Sequence, residues 1–244
     1  MLSDNDKQLL SRLQAEYPEA YDFYIRREKE HQELLKTGCH DLRNILTLIS
    51  GSYQLLGLTN PRLSSIPRFA RMGEDIKLLT KAFNDIALYR YAAVISPSTV
   101  SLSSIEAALR EFIHEKYADT EDRLILVCDN PDSCITTDAL RLSTAICCLI
   151  SNAVEASDFD SPAASVTITL EASSDSHFHA EVINCGTSPS PDMSRTMFEP
   201  FRSDKTDHLG LGLAIASETA DALGGSISWN HFDGITSFIL NVSC

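Results

Sequence analysis

From Pro18 to about Leu58 no proline interrupts the chain, and side chains recur in alternating steps of four and three. The series runs Tyr24, Glu28, His31, Leu35, Gly38, Leu42, Ile45, Ile49, Ser52 and Leu56, apolar for the most part. Such spacing belongs to a helix packed along a narrow seam. Thr59-Asn60-Pro61 breaks that helix. A second helix is predicted from about Ser64 to Tyr91, with the seam Phe69, Met72, Ile76, Leu79, Phe83 and Ile86. Two antiparallel helices sharing one narrow seam cannot enclose a core by themselves. A second copy of the chain would complete a four-helix bundle, so a homodimer through residues of roughly 18–92 is expected.

The periodicity changes on either side of this hairpin. Ser3 opens a short amphipathic helix predicted to run to about Tyr17, and Pro18 suits the first turn of the next. Ser96-Pro97-Ser98 has the composition of a linker. Beyond it, helices are predicted at Ser103–Tyr117, from Asp138 (as N-cap) to about Ser157, and at Leu211–Leu223, the last closed by Gly224-Gly225. Strands are predicted at Arg123–Cys128, Cys134–Thr136, Val166–Glu171, His179–Ile183, Ser226–Trp229 and Thr236–Val242. Mixed helices and antiparallel strands predict an α+β sandwich distinct from the bundle. The division is an N-terminal helix over 1–17, a helical hairpin over 18–95 and a sandwich domain over 96–244.

Composition narrows the partners. The 244 residues are 43% hydrophobic, enough for one or two modest cores, and carry a formal net charge of −14. That charge argues against a nucleic-acid partner. Seven cysteines occur, none in a CxxC pair, and adjacent Cys147 and Cys148 lie in an apolar run. Buried thiols in a reducing, cytoplasmic compartment are expected, with no zinc site. The polar start MLSDNDKQLL does not predict a signal peptide. No stretch approaches about 18 uninterrupted apolar residues, so no direct membrane insertion is expected. Residues 1–20 are short for a sensor domain, and the signal is expected to come through a partner.

The first chemical constellation is His40-Asp41-Leu42-Arg43-Asn44, in the middle of the first long helix. With Leu42 and Ile45 on the seam, His40 falls on the solvent side, and Asn44 follows one turn on along the same face. Asp41 can accept a proton from one ring nitrogen and leave the other as nucleophile. Alone, this pattern also fits an ordinary exposed histidine in a charged helix. The stretch from Cys39 to Leu56 nevertheless resembles the H-box of the dimerising, phospho-accepting domain of histidine kinases. The resemblance implies that His40 is the phospho-acceptor, Asp41 the acid/base residue, and Asn44 the residue that orients water to dephosphorylate a partner. Ile45 stands where that family often has a helix-kinking proline.

Four further segments follow in order. Asn152-Ala153 lies late in an apolar helix, Asn184-Cys185-Gly186-Thr187-Ser188 follows a strand, Met197-Phe198-Glu199-Pro200-Phe201 precedes Lys205, and His208-Leu209-Gly210-Leu211-Gly212-Leu213-Ala214 precedes a helix. Each alone has a plain structural reading: a core amide, a turn, an apolar loop anchor, a helix-entry turn. Glycines just before a helix also let backbone amides approach phosphate oxygens. Together they resemble the N-box, glycine boxes and F-box of the ATP-binding fold shared by histidine kinases, gyrases and Hsp90. The resemblance implies that Asn152 ligates magnesium and Asn184 accepts from the adenine amine. It also implies that Gly186, Gly210 and Gly212 approach the nucleotide, Phe198 packs its lid, and Lys205 reaches a phosphate. Cys148, Asn184 and Ser188 depart from the family's usual polar residue, aspartate and glycine, and His208 replaces a common glycine.

These resemblances cover about residues 30–244. They imply an ATP- and magnesium-dependent histidine kinase whose partner is the receiver domain of a response regulator, with a regulator phosphatase activity on the same helix face. The departures leave one alternative open: a phosphotransfer or adaptor protein with a degenerate kinase-like domain.

Overall fold

The computed structural model describes residues 4–161, 164–173, 177–186, 188–205 and 208–243. Ser3, Thr187 and Cys244 lie outside them, as do the side chains of Glu28, His31 and Leu35. The chain forms two compact units, Met1–Ala87 and Leu88–Cys244.

The first unit holds α1 (Asp4–Glu16), α2 (Pro18–Thr59), a 3₁₀ turn (Pro61–Ser65) and most of α3 (Pro67–Tyr91). Pro18 sits in the first turn of α2, where its missing N–H costs nothing. At 42 residues, α2 is about 63 Å long at 1.5 Å per residue. Tyr53 locks it to α3: its ring stacks on Phe69 at 4.4 Å, and its hydroxyl donates to the Phe69 carbonyl at 3.1 Å. Gly73 makes room, because a Cβ there would overlap the Tyr53 ring. Most of the α2 seam stays open within one chain. Leu42, Ile45, Ile49 and Leu56 are each about half exposed, and among the described residues of α2 only Leu46 is buried.

The second unit is a five-stranded sheet with helices packed on it. The sheet order is β2 (Leu124–Asp129), β4 (Val166–Ser173), β5 (His177–Cys185), β7 (Ile235–Ser243), β6 (Ser226–Phe232). Strand β5 alternates, with Phe178, Ala180, Val182 and Asn184 inward and their neighbours outward. Against the inner face lie α4 (Leu102–Tyr117), α5 (Ala139–Ala156) and α7 (Gly212–Ala222). Leu142, Ile146, Leu149, Ile150, Ile168 and Leu170 are all 0% exposed, and each such side chain contributes roughly 1.5–3 kcal/mol. Asp138 caps α5 as expected, its carboxylate accepting from the Arg141 amide at 3.0 Å. Its other oxygen accepts from the Ser96 amide at 2.7 Å. Among the described residues α5 alone has the length and composition of a membrane span. Its buried face places it as the unit's core helix.

Two expectations need correction. Ser98 is not linker: β1 (Ser98–Ser101) pairs antiparallel with β3 (Cys134–Thr137), forming a separate two-stranded sheet. The main sheet is also not wholly antiparallel, because β2 runs parallel to β4. α5 lies between those strands in sequence and supplies the crossover a parallel pair requires. A short helix, α6 (Met193–Thr196), has no counterpart among the expected elements.

Candidate functional site

In the first unit His40 lies on the exposed side of α2, its side chain 71% accessible and that of Asp41 67%. Both polar neighbours engage the same ring nitrogen. Nδ1 lies 3.4 Å from Asp41 Oδ1 and 3.3 Å from the Asn44 amide. The one-residue and four-residue spacings on a helix bring these groups together. Only one of the two contacts can use the Nδ1 proton. With that proton donated to Asp41, the lone pair sits on Nε2, which is the tautomer a nucleophile needs. With Nδ1 instead accepting from Asn44, Nε2 carries the hydrogen and cannot attack. The Asp41 contact is thus the one compatible with a nucleophilic Nε2.

The other expected residues lie in the second unit, around the C-terminal ends of α5 and β5 and the N-terminus of α7. Asn152 is half-buried on the last turns of α5. Asn184 is 1% exposed, and its amide nitrogen donates to the Cys185 carbonyl at 3.3 Å. Its Oδ1 is buried without a hydrogen-bond partner. A buried unpaired carbonyl costs roughly 1–3 kcal/mol, and a ligand N–H would recover it. Gly186 follows, and a Cβ there would run into the Ala156 carbonyl at the end of α5. Gly210 has φ +67°, and a Cβ would collide with the backbone of Arg202. Gly212 opens α7, facing Cys148 of α5. Both glycine segments thus bring bare backbone close to α5.

Phe198 fits the plain reading of its segment as an apolar loop anchor. Its ring packs edge-on against core Phe238 at 6.3 Å, which anchors the 197–201 segment to the sheet. The exposed aromatic is Phe201, at φ +64°. Ser188 is exposed, and its hydroxyl donates to the neighbouring Pro189 carbonyl at 3.3 Å. Burial, opposed by Lys116, pushes the Cys147 thiol up to about 12, so it stays neutral and serves as packing.

One participant carries no motif. Glu155, three residues after Asn152, accepts from Lys205 Nζ at 3.1 Å and faces His208 Nε2 at 3.6 Å. Its two oxygens divide between the two basic groups. Fifty positions separate Glu155 from Lys205, and no local spacing rule links them. A cavity of about 730 Å³ opens at the opposite end of the sheet, lined by Asp129, Glu171, His177, His179 and Asn241 among others. None of the residues expected from sequence lines it.

Residues 137–243 match the family described as histidine kinase-, DNA gyrase B-, and HSP90-like ATPase. The chain is 28% identical over 232 residues to the sensor protein VanSC of Enterococcus gallinarum, covering 88% of this chain and 61% of that protein. It is 23% identical to the sensor histidine kinase ZraS of Salmonella typhi over 88% of this chain and 49% of that one. The chain therefore spans about half to three-fifths of these relatives. Among solved structures, full-length ShkA in complex with AMPPNP superposes with a TM-score of 0.68. The match is 24% identical and covers 86% of this chain and 45% of ShkA. The Acinetobacter baumannii histidine kinase AdeS superposes with a TM-score of 0.57, at 17% identity over 84% of this chain and 97% of that one. Residues 137–243 thus match an ATPase-domain family, and the chain shares its fold with these two kinase structures.

Proposed function

We propose, from a chain with the make-up of a sensor histidine kinase core, that it phosphorylates its own His40 and passes the group to a receiver-domain aspartate. What carries this reading is the presence on one chain of an exposed imidazole braced at Nδ1 and an ATPase-family domain. Packing needs neither Asp41 nor Asn44 beside His40.

The second unit fits a nucleotide on its own evidence. The orphaned Asn184 Oδ1 suits the adenine amine. Gly186 and Gly210 let the two loops close on Ala156 and Arg202 beside Asn184 and α7. Asn152 offers the hard oxygen that magnesium prefers, and Lys205 a point charge for phosphate. Bound ATP·Mg supplies the phosphoryl group with its charge partly screened. The chain supplies the nucleophile: Nε2 of His40 forms the new N–P bond while the bond to the ADP oxygen breaks. Asp41 holds the Nδ1 proton and balances the positive charge that develops on the ring. Asn44, one turn on, orients water against the phosphorylated receiver for the reverse duty.

Two copies of the hairpin form the bundle, and the compartment is cytoplasmic, where Cys134 and Cys185 persist as exposed thiols. The experiment is incubation with γ-labelled Mg·ATP, with a His40→Gln control. Acid-labile label on the native chain and none on the variant is expected. Label retained in the variant would mean a different acceptor. The relay reading draws on Cys148 and Asn184. It predicts no label from ATP, but label on His40 from a phosphorylated receiver domain.

A further inference from the structure

We propose that Glu155 is a built-in competitor for phosphate, holding Lys205 so that nucleotide must displace a carboxylate to gain the lysine. This rests on the reading of the second unit as an ATP site.

Three observations converge. Glu155 lies on the same helix as Asn152 and one turn from it, so it stands at the metal and phosphate end of the proposed site. Its Oε2 accepts from Lys205 Nζ at 3.1 Å, and Oε1 lies 3.6 Å from His208 Nε2. Lys205 and His208 come just ahead of Gly210 and Gly212, whose backbone leads into α7. One carboxylate thus ties Lys205 to α5, with His208 alongside.

The chemistry is a competition between anions. A carboxylate and a phosphate oxygen are interchangeable acceptors for an ammonium. While Glu155 holds Lys205, that cation is withheld from a nucleotide, and binding must exchange one partner for the other. The pair is partly exposed, with side chains 38% and 29% accessible, so the exchange costs little and acts as a trim on affinity. The cost falls on ligands that carry phosphates. Adenosine, which reaches Asn184 but has no phosphate, escapes it. Glu155 therefore sets phosphate-dependent affinity without touching the base.

The test uses the full chain and calorimetric titration with Mg·AMPPNP, Mg·ADP and adenosine. Glu155→Gln keeps the shape and removes the charge. It is expected to tighten Mg·AMPPNP by roughly two- to fivefold, the range for a partly exposed ion pair, and to leave adenosine unchanged. Lys205→Met should weaken Mg·AMPPNP, and in that background Glu155→Gln should give no gain, the coupling a double-mutant cycle isolates. Equal or weaker binding by Glu155→Gln, with native binding intact, overturns the competition and leaves the ATP site standing. An equal gain for adenosine also overturns it. A native chain that binds none of the three ligands removes both readings together. Far-ultraviolet circular dichroism of each variant separates lost binding from lost folding.

Discussion

The chemistry proposed for the imidazole of His40 turns on one neighbour. Nδ1 stands between Asp41 and Asn44 at 3.4 and 3.3 Å, and only the Asp41 contact leaves Nε2 with a lone pair. Asp41→Asn keeps the size and removes the proton acceptor. Labelling of His40 from Mg·ATP should slow about a hundredfold or more, the usual scale for a positioned acid–base group. The readout is the initial rate of acid-labile labelling at fixed pH. A rate within about twofold of native would assign Asp41 to solvation alone. Most of this site is legible in sequence, because adjacent positions and one-turn spacings fix neighbours on a helix. Asn152, Asn184 and the glycines are legible as motifs, each keeping its local order. Glu155 is not, since its partners Lys205 and His208 come from a loop fifty residues on. A carboxylate on a helix looks the same whether it faces water or a lysine. Phe198 is legible in its plainer reading, as an apolar anchor, here set against Phe238.

At the scale of elements, the turn between the Phe198 segment and α7 is held by Gly210. Its φ of +67° is open to glycine, and a Cβ would strike the Arg202 backbone. Gly224 has φ +72° but faces open space. Alanine at Gly224 therefore meets only the backbone cost, about 1 kcal/mol, whereas Gly210→Ala adds a clash with main chain, for roughly 1–3 kcal/mol in all. Thermal melts should place Gly210→Ala below Gly224→Ala, at roughly 2–4 °C per kcal/mol. Equal losses would show that the approach to Arg202 can relax. The elements themselves were legible where a period ran long: α2 begins at Pro18 and ends at Thr59, as its spacing and Asn60-Pro61 predict. Strand β1 was hidden because four residues after a proline hold too few alternations to signal a strand. The parallel pairing of β2 with β4 was hidden too, since alternation reports which face is buried and not which strand lies alongside.

At the scale of the whole molecule, the first unit leaves a task undone. An apolar trough of about 340 Å³ runs along the hairpin, lined by Ile45, Leu48, Ile49, Ser52, Tyr53, Leu56, Met72 and Ile76. Leu48 is 71% exposed, and Ile45, Ile49 and Leu56 are each about half exposed. A continuous apolar stripe of this kind marks a surface that another surface covers. The cover we propose from the seam spacing is a second hairpin, packed helix against helix in a four-helix bundle. Ile49→Glu puts a charge in the middle of the stripe, where burial without a partner is costly. Sedimentation velocity should find the native chain dimeric and Ile49→Glu monomeric. His40→Gln, on the solvent side of the same helix, should remain a dimer. The variant monomer should still bind Mg·AMPPNP, because the residues proposed to hold it all lie in the second unit. A native chain that sediments as a monomer at every concentration tested would sink the bundle. The open stripe would then need a cover other than a second copy of the chain.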